Sequence, residues 1–391
     1  QIAESNDGAL FYSDYQEIRQ GKKIHHPTLE YQTGSIRNDF DFGQLLLFRN
    51  DSFQQVVAQM NTDYRFAALY ELRLSISRLG KIVHIPETLY TVQPTDLRLS
   101  GEKQFDYVDP ANREVQLEME AVCTAHLQAI GAWLAPEFQR IDFGQENFAR
   151  EASVIIPVRN RKRTIAEAVE SALQQQTDFS FNVIVVDNHS TDGTGQILTE
   201  LSRRYPNLIH HIPASTELGI GGCWTEAILL PECGKFAIQL DSDDLYKDCH
   251  VLQRIVDTFY QENCAMVIGS YQMVDFKLEE IPPGLIAHRE WTPDNGRNNA
   301  LRINGLGAPR AFYTPMLRQI KFPNVSYGED YATALAISRK YLIARIYDPL
   351  YLCRRWEENS DHDLDIQQLN NYNFYKDKIR TLEIQARISG K

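Results

Sequence analysis

The sequence has no Cys-x-x-Cys pair: its six cysteines, Cys123, Cys223, Cys233, Cys249, Cys264 and Cys353, lie scattered. This excludes a zinc ribbon and the dense disulfide framework of a small secreted domain, and a reducing cytoplasmic setting fits best. No apolar run approaches the ~20 residues of a transmembrane helix, and no signal-peptide pattern is visible. The chain opens at Gln1 rather than Met, which leaves a missing upstream anchor open. Positive charge is also short: 40 Lys and Arg stand against 52 Asp and Glu, a net charge of −12. A general nucleic-acid partner is therefore not expected, because a phosphate backbone requires clustered cations. The basic run Arg159 to Arg163 suits a small phosphate ligand or a solvated loop. At 391 residues the chain is long enough for two or three domains.

From Ser153 onward, strand and helix patterns alternate. "SVIIPV" (Ser153 to Val158), "FNVIVVD" (Phe181 to Asp187), "KFAIQLD" (Lys235 to Asp241) and "AMVIGSYQMV" (Ala265 to Val274) read as buried strands. Between them, "TIAEAVESALQQ" carries Thr164 and Glu167 at capping-box spacing, with Ile165, Ala168, Val169, Ala172 and Leu173 on one helical face. Asp248 is placed to cap the helix that carries Val251, Leu252, Ile255, Val256 and Phe259. The alternation predicts an α/β fold with a mainly parallel sheet sandwiched by helices. Ligands collect at the carboxyl ends of such strands, where Asp187 and Asp241 both lie.

Three acids follow the third strand directly, in "LDSDD": Asp241, Asp243 and Asp244. Like charges this close repel unless a cation or a helix N-terminus compensates them. Hard divalent ions such as Mg²⁺ or Mn²⁺ take oxygen ligands, often one or two carboxylates plus substrate phosphates. Both readings, metal pair and helix cap, are open on this motif alone.

The first third of the chain resembles the last. "FYSDYQEI" (Phe11 to Ile18) aligns with "VIGSYQMV" (Val267 to Val274). "RLSISRLGKIVHIPETLYTV" (Arg73 to Val92) aligns without a gap with "ALAISRKYLIARIYDPLYLC" (Ala334 to Cys353). This predicts an internal repeat of long period. Residues 1–109 would be the second half only of a domain, 110–150 a helix and linker, and 151–391 the full domain.

"VIIPVRNR", "VIVVDNHSTDGT", "LDSDD" and "YGEDYA" occur in the order found in family 2 glycosyltransferases of the GT-A (Rossmann-like) fold, which the chain resembles over about Ser153 to Asp363. The resemblance implies an inverting transfer from a UDP- or GDP-sugar to a hydroxyl of a glycan or glycolipid acceptor, as in surface polysaccharide synthesis. It implies a Mn²⁺ or Mg²⁺ cofactor on Asp241 and Asp243, with His362 as a third ligand and Ser242 beside the donor. Pro157, Val158, Arg159 and Asn160 would line the nucleotide pocket, and Asp187 would meet the base. Asn188 and His189 depart from the family's Asp-Gly, so uracil and guanine both stay open. Gly221, in "LGIGGCWTEAI", would let backbone approach the ligand or form a tight turn. Asp330 would be the base that deprotonates the acceptor, with Glu329 orienting. Arg354 and Arg355 have the fork geometry to clamp a diphosphate, Trp356 could stack on sugar, and Trp291 and His288 lie where acceptors bind. The resemblance places the chain in the cytoplasm, with peripheral association at the inner membrane face as the variant; oligomeric state is unknown. The alternatives are a nucleotidyltransferase and a non-catalytic scaffold that binds sugar nucleotides. In the first copy Ala68 and Leu69 stand opposite Glu329 and Asp330, so that copy carries no base.

Overall fold

The computed structural model describes residues 2–19, 21–61, 63–93, 112–144, 146–289, 291–356 and 364–390. The chain folds into two compact units. The first comprises Gln1–Ala135, Glu290–Asn304 and Asp363–Lys391, the second Pro136–Arg289 and Gly305–His362. This grouping departs from the linear division at 109 and 150, because distant segments pack into the first unit. Asn295 donates to Glu120 Oε1 at 2.7 Å, beside the helix Arg113–Ala129. On the C-terminal helix Ile366–Ile388, the fully buried Asp377 accepts from Arg37 Nε, Arg380 Nη1 and Ser35 Oγ at 2.8–3.2 Å.

The first unit holds a sheet of β1 (Leu10–Arg19), β2 (Lys22–His26), β3 (Leu47–Phe48) and β4 (Ile82–Val92). Ala9, Leu10, Tyr12, Phe40, Phe42, Val56, Leu72 and Ile76 form its core. β1 runs parallel to β4 on one edge; on the other it takes β3 and then β2, both antiparallel.

The second unit holds β5 (Ala152–Val158), β6 (Phe181–Asp187), β7 (Leu208–His211), β8 (Phe236–Gln239), β9 (Leu245–Tyr246), β10 (Met266–Val274), β11 (Glu280–Ile286), β12 (Arg310–Tyr313) and β13 (Ile343–Arg354). They order as β7-β6-β5-β8-β12-β10-β13-β9, with β11 on β10. The pairings make β5, β6, β7, β8, β10 and β13 run one way and β9, β11 and β12 the other. This is the α/β, mainly parallel arrangement that the sequence predicts. β5, β6 and β8 end side by side, so Val158, Asp187 and the acids after Gln239 share one edge. Among its described residues the linker 136–150 has neither helix nor strand, and it is strapped down by Gln139 N to Lys340 O and Ile141 N to Asn263 Oδ1, both 2.9 Å.

Each unit contains one parallel ladder, and the pairings correspond. Leu10 faces Ile82 and Tyr15 faces Tyr90; Met266 faces Ile343 and Tyr271 faces Tyr351. Each ladder slips twice, on either side of the pairs Asp14–Thr88 and Ser270–Pro349. On the other edge Leu10 faces Phe48 and Met266 faces Phe312.

Candidate active site

The acid loop is held from all sides. Gln239, 3% exposed at the end of β8, donates its side-chain amide to both oxygens of Asp241 at 2.9 and 3.0 Å. The Asp241 amide donates to the Tyr351 hydroxyl at 2.9 Å. Thr164 Oγ1 donates to Ser242 O at 2.9 Å, and Arg354 N to Asp244 Oδ1 at 2.7 Å. Asp243 Oδ2 accepts the Trp356 indole N–H at 3.1 Å, and Arg161 Nε lies 3.7 Å from the same oxygen. Burial pushes the Asp241 carboxyl above its ordinary range, against the pull of Arg310 and Gln239. Burial does the same to Asp244, reinforced by the charges of Asp243 and Asp241. The loop gathers three carboxylates at the end of β8, and their donors are all oxygen. That chemistry fits a hard divalent ion on Asp241 and Asp243, with remaining ligands from phosphate and water. No group of three or more His, Cys, Asp or Glu that could hold a metal occurs among the described residues, and His362 lies outside them.

Thr164 and Glu167 do not form the predicted capping box. The Thr164 hydroxyl is spent on Ser242, and Glu167 pairs with Arg354 Nη1. Arg354 is 1% exposed and also donates through Nε to Asp243 O. It is a strut beneath the acid loop rather than a fork open to a diphosphate, a correction that follows from its burial. Arg355 N donates to Val274 O. Asp248 likewise sits ahead of the helix Val251–Glu262, where it accepts from His250 N.

Across from the acid loop, the helix Glu329–Ser338 starts after Gly328, whose φ of 80° needs glycine. Asp330, 23% exposed at its side chain, is ion-paired with Arg310 Nη1. Arg310 heads β12, and its Nε and backbone N both reach Gln239 Oε1, at 3.0 and 3.1 Å. Gln239 therefore joins Asp241 on one side to the Arg310–Asp330 pair on the other. Glu329 is 8% exposed; burial, with the charge of Asp330, raises its carboxyl to about 7. Its Oε2 meets no hydrogen-bond partner among the described residues. The glycines of 219–222 serve this helix's approach: a Cβ on Gly221 would lie 2.0 Å from Pro323 O and 3.0 Å from Glu329 Cβ. Gly221 thus makes room for protein backbone rather than for a ligand.

At the end of β6, Asp187 is 2% exposed. Burial raises its carboxyl, but His210 at 3.3 Å and Ser190 N at 2.9 Å outweigh that and hold it below its ordinary range. Asn160 joins this edge by accepting Thr191 N at 2.8 Å and donating its own N–H to Ser190 Oγ at 2.9 Å. Asn188 donates to Leu218 O at 2.7 Å, Val158 O accepts Asn188 N, Pro157 is half-buried and Arg159 is exposed. Trp291 and His288, predicted to face an acceptor, are 5% and 2% exposed and are packing residues instead.

Arg310, Gln239, Tyr351 and His210 have no motif in the sequence. Arg310 reaches the site only because β12 is laid antiparallel on β8 with Ala311 opposite Ile238.

Residues 153–322 match the family described as Glycosyl transferase family 2. An uncharacterised glycosyltransferase of Nostoc sp. is 32% identical over 123 residues, 32% of this chain and 37% of that protein. A poly(ribitol-phosphate) beta-glucosyltransferase of Bacillus spizizenii is 24% identical over 230 residues, 57% of this chain and 35% of that protein. The chain thus spans little more than a third of these two relatives; it covers 70% of the glycosyltransferase GlyG of Streptococcus pneumoniae, at 27% identity over 52% of its own length. Among solved structures, S. aureus TarS 1–349 with UDP-GlcNAc matches with a TM-score of 0.46 at 23% identity, over 61% of this chain and 72% of that one. The Pyrobaculum calidifontis mannosyltransferase with GDP-Man and Mn²⁺ matches at 0.42 and 15%, over 73% and 86%. No described helix is long and apolar enough to cross a membrane. The family match thus covers residues 153–322, less than half of the chain.

Proposed function

We propose that the chain is an inverting, metal-dependent glycosyltransferase that moves a sugar from a UDP- or GDP-sugar to a hydroxyl of a glycan or glycolipid in surface polysaccharide synthesis. One observation carries this: Gln239 and Arg310 tie the acid loop and Asp330 into one hydrogen-bonded site at the end of β8. Pro157, Val158, Arg159, Asn160, Asp187 and Asn188 line the nucleotide side, and Ser242 and Arg355 lie toward the donor. Asp241 and Asp243 hold Mn²⁺ or Mg²⁺, which when bound supplies positive charge to the diphosphate. Asp330 accepts the proton of the acceptor hydroxyl, whose oxygen bonds to the anomeric carbon as the bond to the nucleoside diphosphate breaks. Glu329, buried behind Asp330, orients it. The matching ladders support a further part of this proposal: residues 1–109 are a degenerate partial copy of the domain's second half, without base or metal acids.

The test is calorimetric titration of UDP- and GDP-sugars with Mn²⁺, then with EDTA, on wild type and Asp243→Ala. Metal-dependent binding of one nucleotide class, lost in the variant, is expected. Absence of binding at millimolar ligand would sink the proposal and leave the acids as loop-stabilising groups.

A further inference from the structure

Arg310 stands among three acids, Asp330, Asp241 and Glu329, whose charges offset the cost of burying its guanidinium. Tyr351 is the other titratable group that bears on it. Its side chain is 20% exposed and is used on two sides, Nη1 toward Asp330 and Nε toward Gln239. The Gln239 amide has no rotational choice: its oxygen accepts from Arg310 while its nitrogen donates to Asp241. Asp330 sits in the first turn of its helix, where a short carboxylate has several rotamers to choose from. Arg310 removes that choice at one carboxylate oxygen, and the side chain stays 23% exposed.

We infer that Arg310 is a positioning residue: it fixes the Asp330 carboxylate and sets its place relative to the acid loop through Gln239. This rests on the glycosyltransferase function proposed above. A guanidinium is suited to the task because its planar fork binds two partners in fixed directions, whereas an ammonium is a single point of charge. A small displacement of a catalytic group costs rate far more than it costs binding. The role therefore separates turnover from donor affinity, which a purely structural ion pair would not do.

The experiment compares wild type, Arg310→Gln, Arg310→Lys and Asp330→Asn by steady-state kinetics, donor calorimetry and thermal melting. Arg310→Gln is expected to lose about 10²-fold in kcat while donor Kd stays within about threefold and the melting temperature is little changed. Arg310→Lys restores the charge but not the fork, and should recover about tenfold of that loss. An Arg310→Gln kcat within about twofold of wild type overturns the inference. So does a fall in kcat matched by donor affinity and melting temperature, without recovery by lysine. If wild type turns over and Asp330→Asn does too, the base is elsewhere and the role of Arg310 falls, while glycosyl transfer stands. If wild type binds no nucleotide sugar, the proposed function and this inference fall together.

Discussion

At matching ladder positions the two units carry different chemistry. Tyr351 on β13 accepts the Asp241 amide, whereas Tyr90 on β4 accepts the amide of Gln44 at 2.7 Å. Ser270 on β10 is fully buried and donates to Ile346 O, while Asp14 on β1 accepts from Thr28 N and meets His84 Nε2, both at 2.8 Å. The helix that precedes β13 starts with Glu329 and Asp330; the one that precedes β4 starts with Ala68 and Leu69, with Leu69 57% exposed. Pairing register is alike in the two units despite these differences because it is set by backbone ladders and by the core alternation of Leu10, Tyr12, Met266 and Ile268. Chemistry differs, because it depends on a few side chains at strand ends and helix starts.

The largest expected break in this comparison is Asp330→Asn, which should lower kcat by about 10²–10⁴-fold. The matching change Leu69→Asn should leave kcat as it was, in the same steady-state assay. Leu10→Ala should cost about 2–5 kcal/mol of stability in chemical denaturation, because Leu10 is fully buried in the core of the first unit. If that variant unfolds at the wild-type denaturant concentration, the first unit is not built on β1 in the way described.

Glu329 gives a smaller, pH-dependent effect. Its carboxyl rises from 4.5 to about 7 on folding, chiefly by burial. Between these values the folded chain holds a proton that the unfolded chain has released. Its contribution is therefore fully present below the unfolded value and is lost as pH rises through the folded one. Glu329→Gln should flatten the decline in stability over that window, a difference of about 3 kcal/mol. Equal slopes for both proteins would refute it. Leu69→Asp should change stability by less than about 0.5 kcal/mol, since the side chain is exposed.

Much of the second unit was legible in the sequence. β5, β6 and β10 fall within a residue of their apolar runs, because contiguous buried strands have an unmistakable pattern. The acids announced themselves as charge at the end of such a run. Arg310 did not, since its partners Gln239 and Asp330 are 71 and 20 residues away and no local pattern reports a strand register. Arg354 misled for a related reason. "CRRWEE" has the composition of a solvated tail, yet Arg354 is buried because Glu167 and the Asp243 carbonyl give its guanidinium acceptors. The grouping of 290–304 and 363–391 with the first unit rests on the same kind of distant pairing, exemplified by Asp377 with Arg37.

The strut under the acid loop has a consequence for biosynthesis. Arg354 follows Asp243 and Asp244 by 110 residues or more, and its backbone and side chain are among the groups that hold that loop. A chain still emerging from the ribosome can lay β5, β6 and β8 side by side long before Arg354 has been made. Until then Asp241, Asp243 and Asp244 lack the strut, and Asp241 lacks the Tyr351 hydroxyl. Closing so distant a contact is slow compared with forming local helices and turns. The acid-loop site is thus a late product of folding, completed only when the last strand joins the sheet.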